Sequence, residues 1–240
     1  MSTLHVISAG AARGLVSALA DQFEAAHRAA IDGTFGAVGA MRETLLGGAP
    51  CDVVVLTQPM LVALGAEDHV VASTIRPIGE VATGIAVRAG DAAVDVHDDD
   101  ALCEALSRAT SIHFPDPAKA TAGIHFANVL RTLELHDPLA SRVRTYPNGA
   151  AAMTALAQAK DARPIGCTQL SEILYTRGVT LVAALPRRFA LVTRYDAAVA
   201  SRASSASLAA AFVALMCGDA TRSLRAAAGF VERSDANRVA

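Results

Sequence analysis

Residues 4–27, LHVISAGAARGLVSALADQFEAAH, run from an apolar strand through a turn of small residues into a helix, with nothing in between. The strand is expected over residues 4–8, the turn over 9–12 and the helix over about 14–26. Leu15, Leu19, Ala20 and Phe23 recur near a spacing of 3.6 residues, so one helical face is apolar and suits packing against a sheet. The pattern repeats at once. AAIDGTF reads as a second strand, FGAVGA as a second small-residue turn, and the helix that follows carries Met41, Leu45 and Leu46 before Gly47 and Gly48 close it. CDVVVLT then supplies Val53–Leu56, apolar on both faces, as a central strand of a parallel sheet is. Strand, helix, strand, helix, strand is the order of an α/β protein.

The middle of the chain begins the pattern again. GEVATGIAVRAG reads as a strand flanked by glycines, and the acidic run Asp98, Asp99, Asp100 is placed to cap a helix through Leu102 and Leu106. Within residues 110–133 a strand at 111–114 leads through a loop with two prolines into a helix from about residue 123, with Phe126, Val129, Leu130 and Leu133 facing inward. A helix over 149–160, strands at 163–167 and 180–182, a strand in RRFALVTRYD and two helices in the tail complete the expectation, with Leu208, Phe212, Leu215 and Met216 on the first tail helix. The expected fold class is therefore α/β with two lobes, each a mostly parallel sheet flanked by helices. Lobe 1 takes residues 1–80 and 190–240, lobe 2 takes 81–189, and a ligand cleft is expected between them.

Composition narrows the function. At 240 residues with 52% hydrophobic residues the chain can bury a substantial core. Only 18% of residues are charged and the net charge is −2, which lacks the basic excess a nucleic-acid backbone rewards. Cys51, Cys103, Cys167 and Cys217 are widely spaced without a CxxC pair, so free thiols are expected rather than a metal or dithiol site. No cofactor is implied, and no HExxH, GxSxG or GxxxxGK[ST] motif occurs. No apolar run reaches the length of a membrane span, and the start MSTLHVISAG has no basic and apolar leader. As written, the protein is expected in the cytoplasm as a monomer; with a signal removed it would be periplasmic.

Three small-residue turns at the ends of strands are the candidate ligand contacts, because nearly bare backbone N–H groups at a helix start attract anions. They are Ser8–Ala12 with Gly10 and Ala11, Gly36–Ala40 with Val38 and Gly39, and Ala120–Gly123 with Thr121, Ala122 and Gly123. Arg13 either clamps a carboxylate or forms a surface ion pair, and Arg42 has the same two options. Asn148, before Gly149, is a turn residue or a polar contact, and Thr168 and Gln169 stand at the end of a strand. Glu172 reads first as a solvated helix residue and second as a cap or base. His113 alternates with apolar neighbours as a core histidine does, whereas His125 lies near the start of a helix. The spacing of Ser8, His125 and Glu172 does not support a catalytic triad.

ISAGAARGLVSALADQFEAAH and FGAVGAMRETLLGGAPCDVVVLTQPMLVAL resemble the molybdate-binding solute receptors of ABC importers, a branch of the type II periplasmic binding proteins. FPDPAKATAGIHFANVLRTL and IGCTQLSEI resemble the same family, and the likeness covers nearly the whole chain. The resemblance implies a small anion held between two lobes, with an ABC permease as partner if the protein is exported. Carried over by position, the anion-binding turns fall on Gly10 and Ala11, on Val38 and Gly39, on Thr121–Gly123, on Asn148 and Gly149, and on Thr168. The family's serine hydroxyls in the first two turns and its late tyrosine have no counterpart here. The fold also resembles an isomerase of the aconitates, which implies an alternative: Arg13 and loop amides as carboxylate clamps, with His125 or Glu172 as base. A cytoplasmic ligand sensor is the other alternative.

Overall fold

A computed structural model describes residues 2–232. The chain divides into two compact units. The first holds residues up to Phe35, Met41–Val81 and the chain from Thr193 on; the second holds Gly36–Ala40 and Ala82–Val192.

The first unit begins with strand β1 (Ser2–Ala9), a single 3-10 turn (Gly10–Ala12) and helix α1 (Arg13–His27). Strand β2 (Ala29–Gly36), helix α2 (Val38–Leu46), strand β3 (Val53–Thr57) and helix α3 (Gln58–Ala66) follow. β1 and β3 are parallel, with Val6 beside Val53 and Ser8 beside Val55. The last strand, β9 (Val192–Val199), returns antiparallel to β3, so the parallel sheet expected from sequence is mixed at this side. Val53 to Leu56 are fully buried, as their two-sided apolar pattern requires. Leu15, Leu19 and Phe23 of α1 are buried on the expected face, and Phe23 meets Phe212 of helix α8 (Ala206–Cys217) edge to face at 5.0 Å. Helix α9 (Arg222–Ala227) follows.

The second unit is built on strand β4 (Arg76–Arg88) from Ala82 onward, with strands β5 (Ser111–Pro115), β6 (Val143–Tyr146), β7 (Pro164–Gln169) and β8 (Val179–Ala184). β6, β5 and β7 are parallel neighbours, and β4 runs antiparallel to both β7 and β8. Helix α4 (Asp99–Arg108) starts on Asp98, whose Oδ1 accepts from the Ala101 N–H at 2.8 Å, as the acidic run predicts. Helix α5 (Thr121–Thr132) begins two residues earlier than expected and helix α6 (Gly149–Gln158) ends two earlier. Helix α7 (Leu170–Tyr175) closes the set. One face of the sheet, with Ile85 and Cys167, packs on Leu102 and Leu106 of α4 and Phe126 and Leu130 of α5. The opposite face, with Ala86, packs on Met153 and Leu156 of α6 and Ile173 of α7.

RRFALVTRYD departs from expectation in its first half. Arg187–Phe189 form a 3-10 turn after Pro186, and the strand starts only at Val192.

Candidate functional site

Register places the second unit's candidate residues. Pro115 pairs with Tyr146, and His113 with Gly166, so β6, β5 and β7 end at one edge of the sheet. α6, α5 and α7 all leave from that edge. The turns at residues 120–123, 148–149 and 168–169 therefore belong to a common rim, which is where open parallel sheets hold ligands. β4 passes the same edge in the opposite sense, with Thr83 beside Gln169 and Gly84 beside Thr168.

The start of α5 keeps its donors available. Ala120 occupies the N-cap position and offers no side-chain oxygen, so no cap closes the first-turn N–H groups of this twelve-residue helix. Ala122 and Gly123 are buried and Thr121 is half-buried. Gly123 is required by space, since a Cβ there would overlap the carbonyl oxygens of Pro115 and Asp116. In the turn Gly36–Ala40 the Gly39 N–H is already donated to the Lys119 carbonyl at 3.2 Å, and Val38 is buried.

The start of α6 is filled from within. Asn148 acts as the turn residue: its Oδ1 accepts from the Ala151 N–H at 2.9 Å. Glu172, expected to be solvated, is only 6% exposed, because α7 turns its inner face onto α6. The fully buried Thr168 hydroxyl donates to Glu172 Oε2 at 2.6 Å. Burial pushes the Glu172 carboxyl above the ordinary range, and the Thr168 hydroxyl and the N–H groups of Ala150, Gln169 and Gly149 pull it back down. A Cβ at position 149 would overlap both Glu172 Oε2 and Thr168 Oγ1, so the glycine is what admits the carboxylate. Gln169 is itself buried.

In the first unit, Gly10 and Ala11 form the 3-10 turn ahead of α1, with Ala11 buried and no side-chain cap from Ala9. Arg13 is exposed and its guanidinium lies 5.5 Å from the centroid of the Phe35 ring. The Ser8 hydroxyl is buried and donates to the Ala9 carbonyl at 2.9 Å. Arg42 takes its surface option, 3.5 Å from Glu67.

His113 and His125 are both engaged within the chain. His113 is buried between the Ser111 hydroxyl on Nε2 and the Tyr146 hydroxyl on Nδ1, each at 2.9 Å, and Ser111 also donates to Asp161 Oδ2 at 2.9 Å. Burial lowers its pKa first, with Asp161 opposing and Arg144 adding to the effect. His125 Nε2 lies 2.8 Å from the Phe189 carbonyl oxygen. The four cysteines are free thiols, and burial pushes Cys51 and Cys217 up to about 12, which makes them poor nucleophiles. Among the described residues no group of three His, Cys, Asp or Glu side chains could hold a metal, and no helix is long and apolar enough to cross a membrane.

Two features of this rim had escaped sequence reasoning. The Thr83 hydroxyl is buried without a hydrogen-bond partner, and so is that of Ser171. Neither has a local signature, because the partners of Thr83 on β4 depend on which strand pairs with it and those of Ser171 on α7 depend on what packs against the helix.

Known proteins share this fold. The structure matches the Azotobacter vinelandii periplasmic molybdate-binding protein with a TM-score of 0.79 at 19% identity, over 96% of this chain and 100% of the other. It matches the sulfate-binding protein SubI of Mycobacterium tuberculosis with a TM-score of 0.73 at 18% identity, over 98% and 88% of the two chains. Both likenesses concern the fold, which is that of the two-lobed periplasmic binding proteins. By sequence, the chain is 26% identical to an aconitate isomerase of a Pseudomonas species over 210 residues, 84% of this chain and 77% of that protein. A family model for bacterial extracellular solute-binding proteins matches residues 4–231, and the chain belongs to that family.

Proposed function

We propose that the protein binds a small anion, an oxyanion or a carboxylate, and delivers it to an ABC permease from outside the inner membrane. The observation that supports this most is the α5 N-terminus: a twelve-residue helix starting on Ala120, without a capping side chain, at the sheet edge where ligands sit. Gly10 and Ala11 before α1 repeat the arrangement in the first unit, with Arg13 one step further along the chain. Thr121, Ala122 and Gly123 are the proposed contacts in the second unit, and Gly10, Ala11 and Arg13 are those proposed in the first. Calorimetric titration of the ligand-stripped protein with molybdate, sulfate, citrate and trans-aconitate tests it. One-to-one binding of at least one anion below about 10 μM is expected, equivalent to about −7 kcal/mol. Arg13→Ala should then weaken binding of a carboxylate more than about tenfold, the loss of one charge-assisted pair. An unchanged affinity would remove Arg13 from the site, and no binding of any anion would remove the function.

Isomerisation of a small polycarboxylate is a second function, favoured by the similarity to the aconitate isomerase. Multiple turnovers of cis-aconitate to trans-aconitate, followed by absorbance, distinguish it from passive binding.

A further inference from the structure

The rim of the second unit already holds a carboxyl group of its own. Glu172 Oε2 receives the Thr168 hydroxyl at 2.6 Å, and the carboxylate draws on the N–H groups of Gly149, Ala150 and Gln169. Both residues are buried, and Gly149 leaves no gap between the helix start and the carboxylate. The next N–H of that turn, Ala151, is taken by the Asn148 side chain at 2.9 Å. A threonine hydroxyl has one proton to donate, and this one is spent. Three of the contacts expected from sequence, Asn148, Gly149 and Thr168, are thus engaged inside the chain.

A tetrahedral oxyanion has four oxygens and no apolar part, so its tight binding needs directed donors from several sides. A carboxylate has two oxygens and is served by one helix start or one guanidinium, while the rest of an organic molecule can rest on small apolar residues such as Ala122. From this we infer that Glu172 is a specificity-determining residue: a resident carboxylate that closes the α6 and β7 donors to a ligand, excludes molybdate and sulfate, and leaves the site to organic carboxylates. The inference rests on the anion-binding function proposed above and narrows its ligand class.

The test is titration of wild type and Glu172→Ala with molybdate, sulfate and citrate, with a thermal melt of each protein to verify folding. Wild type should bind citrate at least a hundredfold more tightly than molybdate or sulfate. Glu172→Ala removes the group that occupies the Gly149, Ala150 and Thr168 donors, so it should gain at least tenfold for molybdate or sulfate and change less than threefold for citrate. If the variant binds citrate as wild type does and gains nothing for the oxyanions, the role of Glu172 is overturned while anion binding stands. Submicromolar molybdate binding by wild type overturns it as well, without need of the variant. If wild type binds none of the three anions, the proposed function falls, and the inference with it.

Discussion

Asp52 and Ser204, 152 positions apart, are joined twice: Asp52 Oδ1 accepts from the Ser204 N–H at 2.7 Å and from its hydroxyl at 2.8 Å. Asp52 Oδ2 accepts from the His5 N–H at 2.8 Å, so one buried carboxylate ties β1, the residue before β3 and the approach to α8. Burial alone would raise its pKa, but these bonds, with that from the Ser205 N–H, hold it below the ordinary 3.8. Asp52→Ala leaves several part-buried donors without this acceptor and should cost about 1–2 kcal/mol in urea denaturation.

The same carboxylate sets an acid limit. With its folded pKa below the unfolded value, its contribution is complete above pH 3.8 and is lost as pH falls through the folded value. Asp52→Asn should therefore show a shallower loss of stability below pH 4 than wild type. Parallel acid limbs in the two proteins would contradict this.

Glu172 predicts the opposite slope. Its folded pKa lies above the ordinary 4.5, so between the two values the folded state keeps a proton that the unfolded chain has lost. Stability then falls as pH rises through that window, and the cost is complete above the folded pKa. The stability of wild type relative to Glu172→Gln should decline from pH 4.5 upward and then level off. A difference that grows with pH would contradict the assignment.

Gly149→Ala should expel the Glu172 carboxylate or force α6 away from it, because the new methyl overlaps both Glu172 Oε2 and Thr168 Oγ1. Overpacking of this kind costs about 1–3 kcal/mol. The midpoint of urea denaturation should fall with an unchanged slope, and Glu172→Gln should not relieve the clash, since glutamine fills the same space.

Thr83→Val should do the reverse. The Thr83 hydroxyl is buried without a partner, and its removal should raise stability by about 1 kcal/mol. The backbone of Thr83 already bonds Leu191 and Leu185, so the strand itself should not move.

Much of the fold was legible because the apolar periods are strong. Val53–Leu56 could only be a strand buried on both faces, and Leu15, Leu19 and Phe23 could only share a helical face. The elements that sequence missed have weak periods. α3 is apolar almost all round with Pro59 in its first turn, and β6 is a four-residue strand whose Arg144 and Thr145 are exposed. The glycine and alanine turns do stand at helix starts, since a helix start reveals itself through missing side chains. They could not reveal which starts were closed. Asn148 and Gly149 differ from Ala120 and Thr121 in being met by Glu172, a contact made between helices that stand more than twenty positions apart.

The central claim is that a small anion rests on the backbone N–H groups at the start of α5. Amide NMR of the ¹⁵N-labelled protein during a citrate titration tests it most directly. Saturable shifts at Thr121, Ala122 and Gly123, with Gly149 and Ala150 nearly still, are the predicted result. Shifts centred on Gly149 and Ala150 with the α5 turn unmoved, or no saturable shift with any anion, would contradict it.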